Sequence, residues 1–89
     1  MRISSNPADH GYSELFPYLL VRFNGEEVSN AITADEIEGM IEYYGIDVLA
    51  NYKRDEDGEL IREKQFGRVE IYRSHLLDEE VYIKWRLGE

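Results

Sequence analysis

An Asn–Gly pair at positions 24 and 25 stands between two short apolar-alternating runs, "YLLVRF" before it and "EEVS" after it. Both residues tolerate positive φ, which a two-residue hairpin loop of the favoured hand requires, so this pair is the strongest short-range hairpin signal in the chain. It predicts a strand with Leu19, Val21 and Phe23 on one face and Leu20 and Arg22 on the other, with Glu26–Ser29 returning alongside it.

The next stretch, "SNAITADEIEGMIEYYGID" over residues 29–47, fits two shapes. As a helix it places Ile37, Met40, Ile41 and Tyr44 at i, i+3, i+4 and i+7, with Thr33 and Glu36 as a capping box and Gly45 beyond the C-terminus. As a hairpin it pairs "AITAD" with "MIEYYGIDV" across "EIEG". Gly39 is unfavourable inside a helix and natural at a turn, and the Tyr, Ile and Val residues after it favour strands. The residues by themselves leave both open.

Downstream, "DVLANYKR" and "ELIREKQF" flank "DEDG", a hairpin turn centred on Asp57–Gly58. "GRVEIYR" alternates Val69 and Ile71 against Arg68, Glu70 and Arg73. "VYIKWRL" alternates Val81, Ile83, Trp85 and Leu87 against Tyr82, Lys84 and Arg86, and reads as a closing strand. Residues 1–16 are polar and carry Pro7 and Gly11, so they are expected as an arm, with residues 17–89 as a single β-rich domain. The fold class expected is mainly β, a small single domain of antiparallel hairpins, becoming α+β if residues 33–44 are helical. Leu19, Val21, Phe23, Ile41, Val69, Ile71, Val81, Ile83 and Trp85 are its expected core.

Eighty-nine residues make one domain, and 43% hydrophobic content with eleven aromatics is too much for a disordered acidic tail. With no cysteine, disulfides, thiolate metal sites and cysteine nucleophiles are excluded. The N-terminus lacks the apolar segment of a secretory signal and no apolar run has transmembrane length, so the expected location is the cytoplasm of the cell that makes it or, alternatively, a particle assembled there. A net charge of −9 repels phosphates and argues against direct nucleic-acid binding.

One span carries most of that charge. Glu26, Glu27, Asp35, Glu36, Glu38, Glu42 and Asp47 lie between Arg22 and Lys53 with no Lys or Arg among them. Such a run is either a solvated outer face that keeps strands from pairing with neighbours, or an anionic face that imitates duplex phosphates in a basic cleft. A second candidate surface is the aromatic and basic set Tyr72, Tyr82, Lys84 and Arg86, whose residue types are those of protein–protein contact centres.

Other motifs carry less. "DEDGE" at 55–59 fails the calcium-loop pattern, because Gly58 falls at position four and Phe66 at position twelve. The only histidines, His10 and His75, lie in polar segments, and adjacent Ser74 and His75 point to opposite faces of extended backbone. No hydrolase, metalloprotease, phosphate-loop or dinucleotide motif occurs. No catalytic residue, metal ligand or cofactor is therefore nominated.

Asn24, Gly25, Val28, Ala31, Ala34, Asp35, Gly39, Ile41, Tyr44, Asp57, Gly58, Gly67, Arg68, Val69 and Ile71 together follow a loose NG-x-x-V, Ala-Asp, Gly, acidic-Gly and Gly-basic-Val-x-Ile pattern. Over roughly residues 20–72 the chain resembles small proteins encoded by tailed phages and prophages, which have no assigned activity. The resemblance implies turns at Gly39 and Gly67, and so favours the hairpin over residues 33–44. The expected function is a non-catalytic protein-interaction module, accessory or structural, whose partner is a phage particle protein, a host DNA-handling enzyme or a second copy of itself. The alternative is an acidic, DNA-mimicking inhibitor of a restriction or CRISPR nuclease.

Overall fold

The computed structural model describes residues 1–88. Its strands are β1 (Arg2–Ser4), β2 (Leu19–Phe23), β3 (Glu26–Val28), β4 (Ala31–Asp35), β5 (Met40–Tyr44), β6 (Arg62–Phe66) and β7 (Val69–Arg73), and one helix, α1 (Glu79–Arg86), follows them. They form two antiparallel sheets, ordered β1-β4-β5-β6 and β3-β2-β7. The fold is mainly β, as the alternation and turn signals predict.

Asn24 and Gly25 turn β2 into β3 with φ of 51° and 86°. Residues 31–44 form a hairpin rather than a helix, with Ala34 opposite Ile41 and Asp35 opposite Met40. The Asp35 carboxylate closes its turn by accepting from the Ile37 and Glu38 amides, 2.9 Å each. A register shift between Ala31 and Thr33 brings both Ala31 and Ala34 to the core side, which strict alternation forbids for residues three apart.

The core lies between the sheets. Ile3, Ala34 and Ile41 of the first pack with Leu19, Val21, Val69 and Ile71 of the second, and Leu77 closes one end. Phe23 is only partly buried at its margin.

Two expectations need correction. The polar arm over residues 1–16 is built into the first sheet: Ile3 and Ser4 are fully buried, and the Ser4 and Thr33 hydroxyls share a 2.9 Å hydrogen bond. Its charge is tied down as well, since the Arg2 guanidinium grips both oxygens of Asp9 at 3.0 and 2.7 Å.

The closing strand over residues 81–87 is the helix α1. The Asp78 carboxylate caps it by accepting from the Glu80 and Val81 amides, with Glu79 and Glu80 in the first turn and Lys84 and Arg86 in the last. Gly88, at φ 80°, ends it. The helical period keeps Trp85 on the core side but exchanges the places of its neighbours. Tyr82 and Trp85, three residues apart, pack on the core, while Val81, Ile83 and Leu87 are exposed. Val81 and Ile83 therefore do not belong to the core.

Candidate interaction surfaces

The seven acidic residues of the 26–47 span do not converge on one face. Three have their oxygens bound to backbone amides of the chain itself. Asp35 binds two turn amides and lies 3.4 Å from the Arg2 guanidinium. Burial alone raises its pKa, but the Glu38 and Ile37 amides and Arg2 outweigh that and leave it below the ordinary value. Asp47 accepts from the Leu49 and Asn51 amides at 2.8 and 3.0 Å, holding a turn.

Glu36 is the most committed of the three. Its Oε2 accepts from the backbone amide of Ile71 at 2.9 Å, and Arg86 Nη2 donates to Oε1 and Oε2 at 2.7 and 3.0 Å. The N-terminal ammonium lies 3.9 Å from Oε1. One carboxylate thus joins the β4–β5 turn, the outer edge of β7, the end of α1 and the chain's start. Of the remaining four, Glu42 is half-buried and accepts from the Thr33 hydroxyl at 3.4 Å, Glu38 is exposed with its carboxylate 3.8 Å from the Arg2 guanidinium, and Glu26 and Glu27 are exposed.

The aromatic and basic residues divide in the same way. The Tyr82 hydroxyl donates to the Ile71 carbonyl at 3.0 Å, its ring lies 5.9 Å from that of Trp85, and Arg86 is occupied by Glu36. These residues seat α1. Tyr72 is on the outer face of the second sheet, its hydroxyl donating to Glu70 and its ring 5.0 Å beneath the Arg22 guanidinium. That hydrogen bond raises the Tyr72 pKa and lowers that of Glu70. Lys84 is exposed on α1.

The most exposed apolar surface lies elsewhere. Between β5 and β6 the chain extends into a tongue, residues 46–60, closed by the isolated pairs Ile46–Tyr52 and Arg54–Leu60. Val48 and Leu49 at its bend are 101% and 76% exposed, with Ile46 and Tyr52 half-exposed behind them. The bend is well defined despite that exposure. Asp47 caps it, Ala50 takes a left-handed φ of 62°, and Tyr52 meets Tyr44 edge-on at 5.9 Å. The second bend is the Asp57–Gly58 turn that the sequence signals, its amides of Asp57 and Glu59 bound by the Asp55 carboxylate. "DVLANYK" has no strand alternation, and a run of apolar residues at a capped bend is the signal that could have found this surface.

The four sheet edges are treated differently. β1 is covered by residues 11–13, which exchange backbone bonds with Ser4, and the Ile71 amide of β7 is covered by Glu36. β3 has only three residues. β6 is left open.

Surface depressions of about 250 to 390 Å³ occur, one lined by Tyr44, Arg54, Glu59 and Arg62, another by Tyr12, Ser13, Glu14 and Phe16. His10 and His75 are exposed and line neither. Among the described residues no group of three His, Asp or Glu is placed to hold a metal ion, and no helix is long and apolar enough to cross a membrane.

Several glycine and turn residues of the sequence pattern over residues 20–72 meet one another. The Asn24 amide donates to the Arg68 carbonyl at 2.8 Å, its side-chain oxygen accepts from the Arg68 amide at 2.9 Å, and the Gly67 amide donates to the Gly39 carbonyl at 2.9 Å. A Cβ on Gly39 would stand 2.6 Å from the Gly67 carbonyl oxygen. These positions hold three turns together. No protein-family model, no curated protein and no solved structure matches the chain.

Proposed function

We propose that the chain is a non-catalytic protein-interaction module, accessory or structural, of the kind tailed phages and prophages encode, and that it meets its partner through the tongue. The observation that carries this reading is the exposure of Val48 and Leu49 on a bend whose backbone is already fixed by Asp47. Seating each on a partner stabilises a complex by about 1.5–3 kcal/mol. A capped bend forfeits little conformational entropy on binding. The phage-type assignment draws its support from the sequence pattern over residues 20–72, and with it the bacterial cytoplasm or the virion as the place of action.

The alternative, an acidic inhibitor of a host restriction or CRISPR nuclease, is supported by the exposed Glu26, Glu27 and Glu38. It has fewer carboxylates at its disposal than the sequence offers, because Asp35, Glu36 and Asp47 bind the chain's own amides.

Two variants separate the readings in a pull-down from bacterial lysate at low and moderate salt, with duplex DNA as competitor. If the tongue is the contact, Val48→Ser with Leu49→Ser loses the partner, while Glu26→Lys, Glu27→Lys and Glu38→Lys together keep it. The reverse pattern, with displacement by DNA, supports the inhibitor and overturns the module as described. Partners retained by both variants overturn the tongue as the contact.

A further inference from the structure

The open edge of β6 follows from its register. Gly67 N–H donates to the Gly39 carbonyl and Gly45 N–H to the Ile61 carbonyl, and between them the pairs run Met40–Phe66, Ile41–Gln65, Glu42–Lys64, Tyr43–Glu63 and Tyr44–Arg62. In an antiparallel ladder, pairs that exchange backbone bonds alternate with pairs that do not. Gln65 and Glu63 therefore face β5, and the N–H and C=O groups of Arg62, Lys64 and Phe66 point away from the sheet. No hydrogen bond in the described structure engages those six groups. All three side chains are exposed, Phe66 at 66%.

Proteins generally protect such an edge, and this one protects two of its others with its own chain. β3 is too short to offer more than the outward groups of Glu27, whose neighbour Glu26 is bonded to Phe23 across the two-residue loop. Along β6 the outward row is cationic. Arg62 and Lys64 lie on one face at a two-residue spacing, and neither belongs to an ion pair among the described residues. In a chain of net charge −9 these are two cations outside any ion pair, with Glu42 across the ladder from Lys64, beside unpaired backbone donors and acceptors.

We propose that β6 is a strand-addition site for an extended acidic segment of a partner protein. This rests on the interaction-module reading and deepens it by naming the partner's chemistry. The segment adds as a fifth strand to the first sheet, antiparallel to β6 because antiparallel pairing is the more stable per residue. From its N-terminus it carries an apolar residue opposite Phe66, then acidic residues opposite Lys64 and Arg62, an apolar-x-acid-x-acid pattern. A second copy of the chain fits less well, since the centred β6–β6 register sets Lys64 against Lys64 and like charges directly opposite are destabilising.

The test uses the full chain and two blocked synthetic peptides of that pattern, one with glutamate and one with lysine at the acid positions. Amide exchange and chemical shifts are followed by NMR. Addition at β6 slows exchange of the Arg62, Lys64 and Phe66 amides at least tenfold with the glutamate peptide, leaves Glu63 and Gln65 at their existing protection, and favours glutamate over lysine by at least tenfold in Kd. Lys64→Pro removes an outward N–H that β5 does not use, so the sheet persists and binding is lost. Arg62→Glu with Lys64→Glu makes no demand on the backbone and reverses the preference to the lysine peptide. Equal affinity for the two peptides, binding that leaves the three amides unchanged, no binding at millimolar peptide, or protection by concentration-dependent self-association each overturns the proposal. Any of these leaves the tongue variants free to succeed or fail, so the two ideas fall separately.

Discussion

Replacing Glu36 with Ala removes three partners at once, and the cost can be worked from their surroundings. The Ile71 amide belongs to a residue only 2% exposed, and Glu36 Oε2 is its acceptor at 2.9 Å. Leaving a buried amide without a partner costs about 1–3 kcal/mol. The Arg86 pair is more accessible, the arginine side chain being 37% exposed, so its loss adds at most about 1 kcal/mol. The expected destabilisation is therefore about 1–4 kcal/mol. For 89 residues at about 0.05–0.15 kcal/mol each, total stability is roughly 4–13 kcal/mol, so the loss is a substantial part of it. Glu36→Gln keeps an oxygen for the Ile71 amide and gives up the charge, and is expected to cost about 1 kcal/mol. Urea denaturation of both variants gives the two figures, and hydrogen exchange at Ile71 locates the effect. If the alanine variant costs no more than the glutamine variant, or Ile71 exchanges no faster than in the parent, Glu36 does not hold the sheet edge and the reasoning fails.

Acid should loosen the N-terminal part of the first sheet. The Arg2 guanidinium holds Asp9 well below the usual carboxylate range, and the turn amides and Arg2 hold Asp35 below it. A carboxylate with a depressed folded pKa stabilises fully above its unfolded pKa, near 4, and that contribution is lost as pH falls towards the folded value. Melting temperature should thus decline below about pH 4, and less steeply in Asp9→Asn, which no longer titrates there. Gly39→Ala and Gly58→Ala both place a side chain at positive φ, 70° and 79°, but only the first drives a Cβ against backbone. By thermal melting the first should lose several times the roughly 1 kcal/mol lost by the second. Asp78→Ala should cost about 1 kcal/mol by unseating the cap of α1, and Leu77→Ala about 2–5 kcal/mol by opening the core, both read in denaturant. Val48→Ser should change stability by no more than about 0.5 kcal/mol, since nothing in the fold rests on it.

The choice of sites for charge reversal follows from the same geometry. Reversing Glu36 would report on folding rather than on binding, because its carboxylate is an internal bond acceptor. Glu26 and Glu27 are the acidic positions at which a lysine reports on an electrostatic surface alone, while Glu38 also lies 3.8 Å from Arg2.

Where local chemistry decides the backbone, the sequence was sufficient. Asn24–Gly25 and Asp57–Gly58 made their turns because few residues enter the left-handed region at low cost, and the first of them sets the register of β2 against β3. The alternation of Leu19, Val21, Val69 and Ile71 chose the core face of the second sheet. The helix α1 was legible too, in Asp78, the acidic first turn, the basic last turn and Gly88. The alternation of "VYIKWRL" masked it, since seven residues satisfy a period of 2 and a period of 3.6 almost equally. Choosing between them required Tyr82 and Trp85 to find the core together, and that contact exists only once the sheets are assembled.

What tertiary structure alone decided is the use of polar residues. Arg2, Ile3 and Ser4 offer one apolar side chain, yet they complete a sheet because Asp9, Asp35 and Thr33 arrive as partners from elsewhere in the chain. Seven acids in thirty residues look like one surface in sequence, but the fold commits Asp35, Glu36 and Asp47 to backbone amides and leaves Glu26 and Glu27 to solvent. Apolar burial is written in a residue's own chemistry. Whether a carboxylate is spent on an amide or left to solvent depends on which donor stands beside it, and fifty residues separate Glu36 from Arg86.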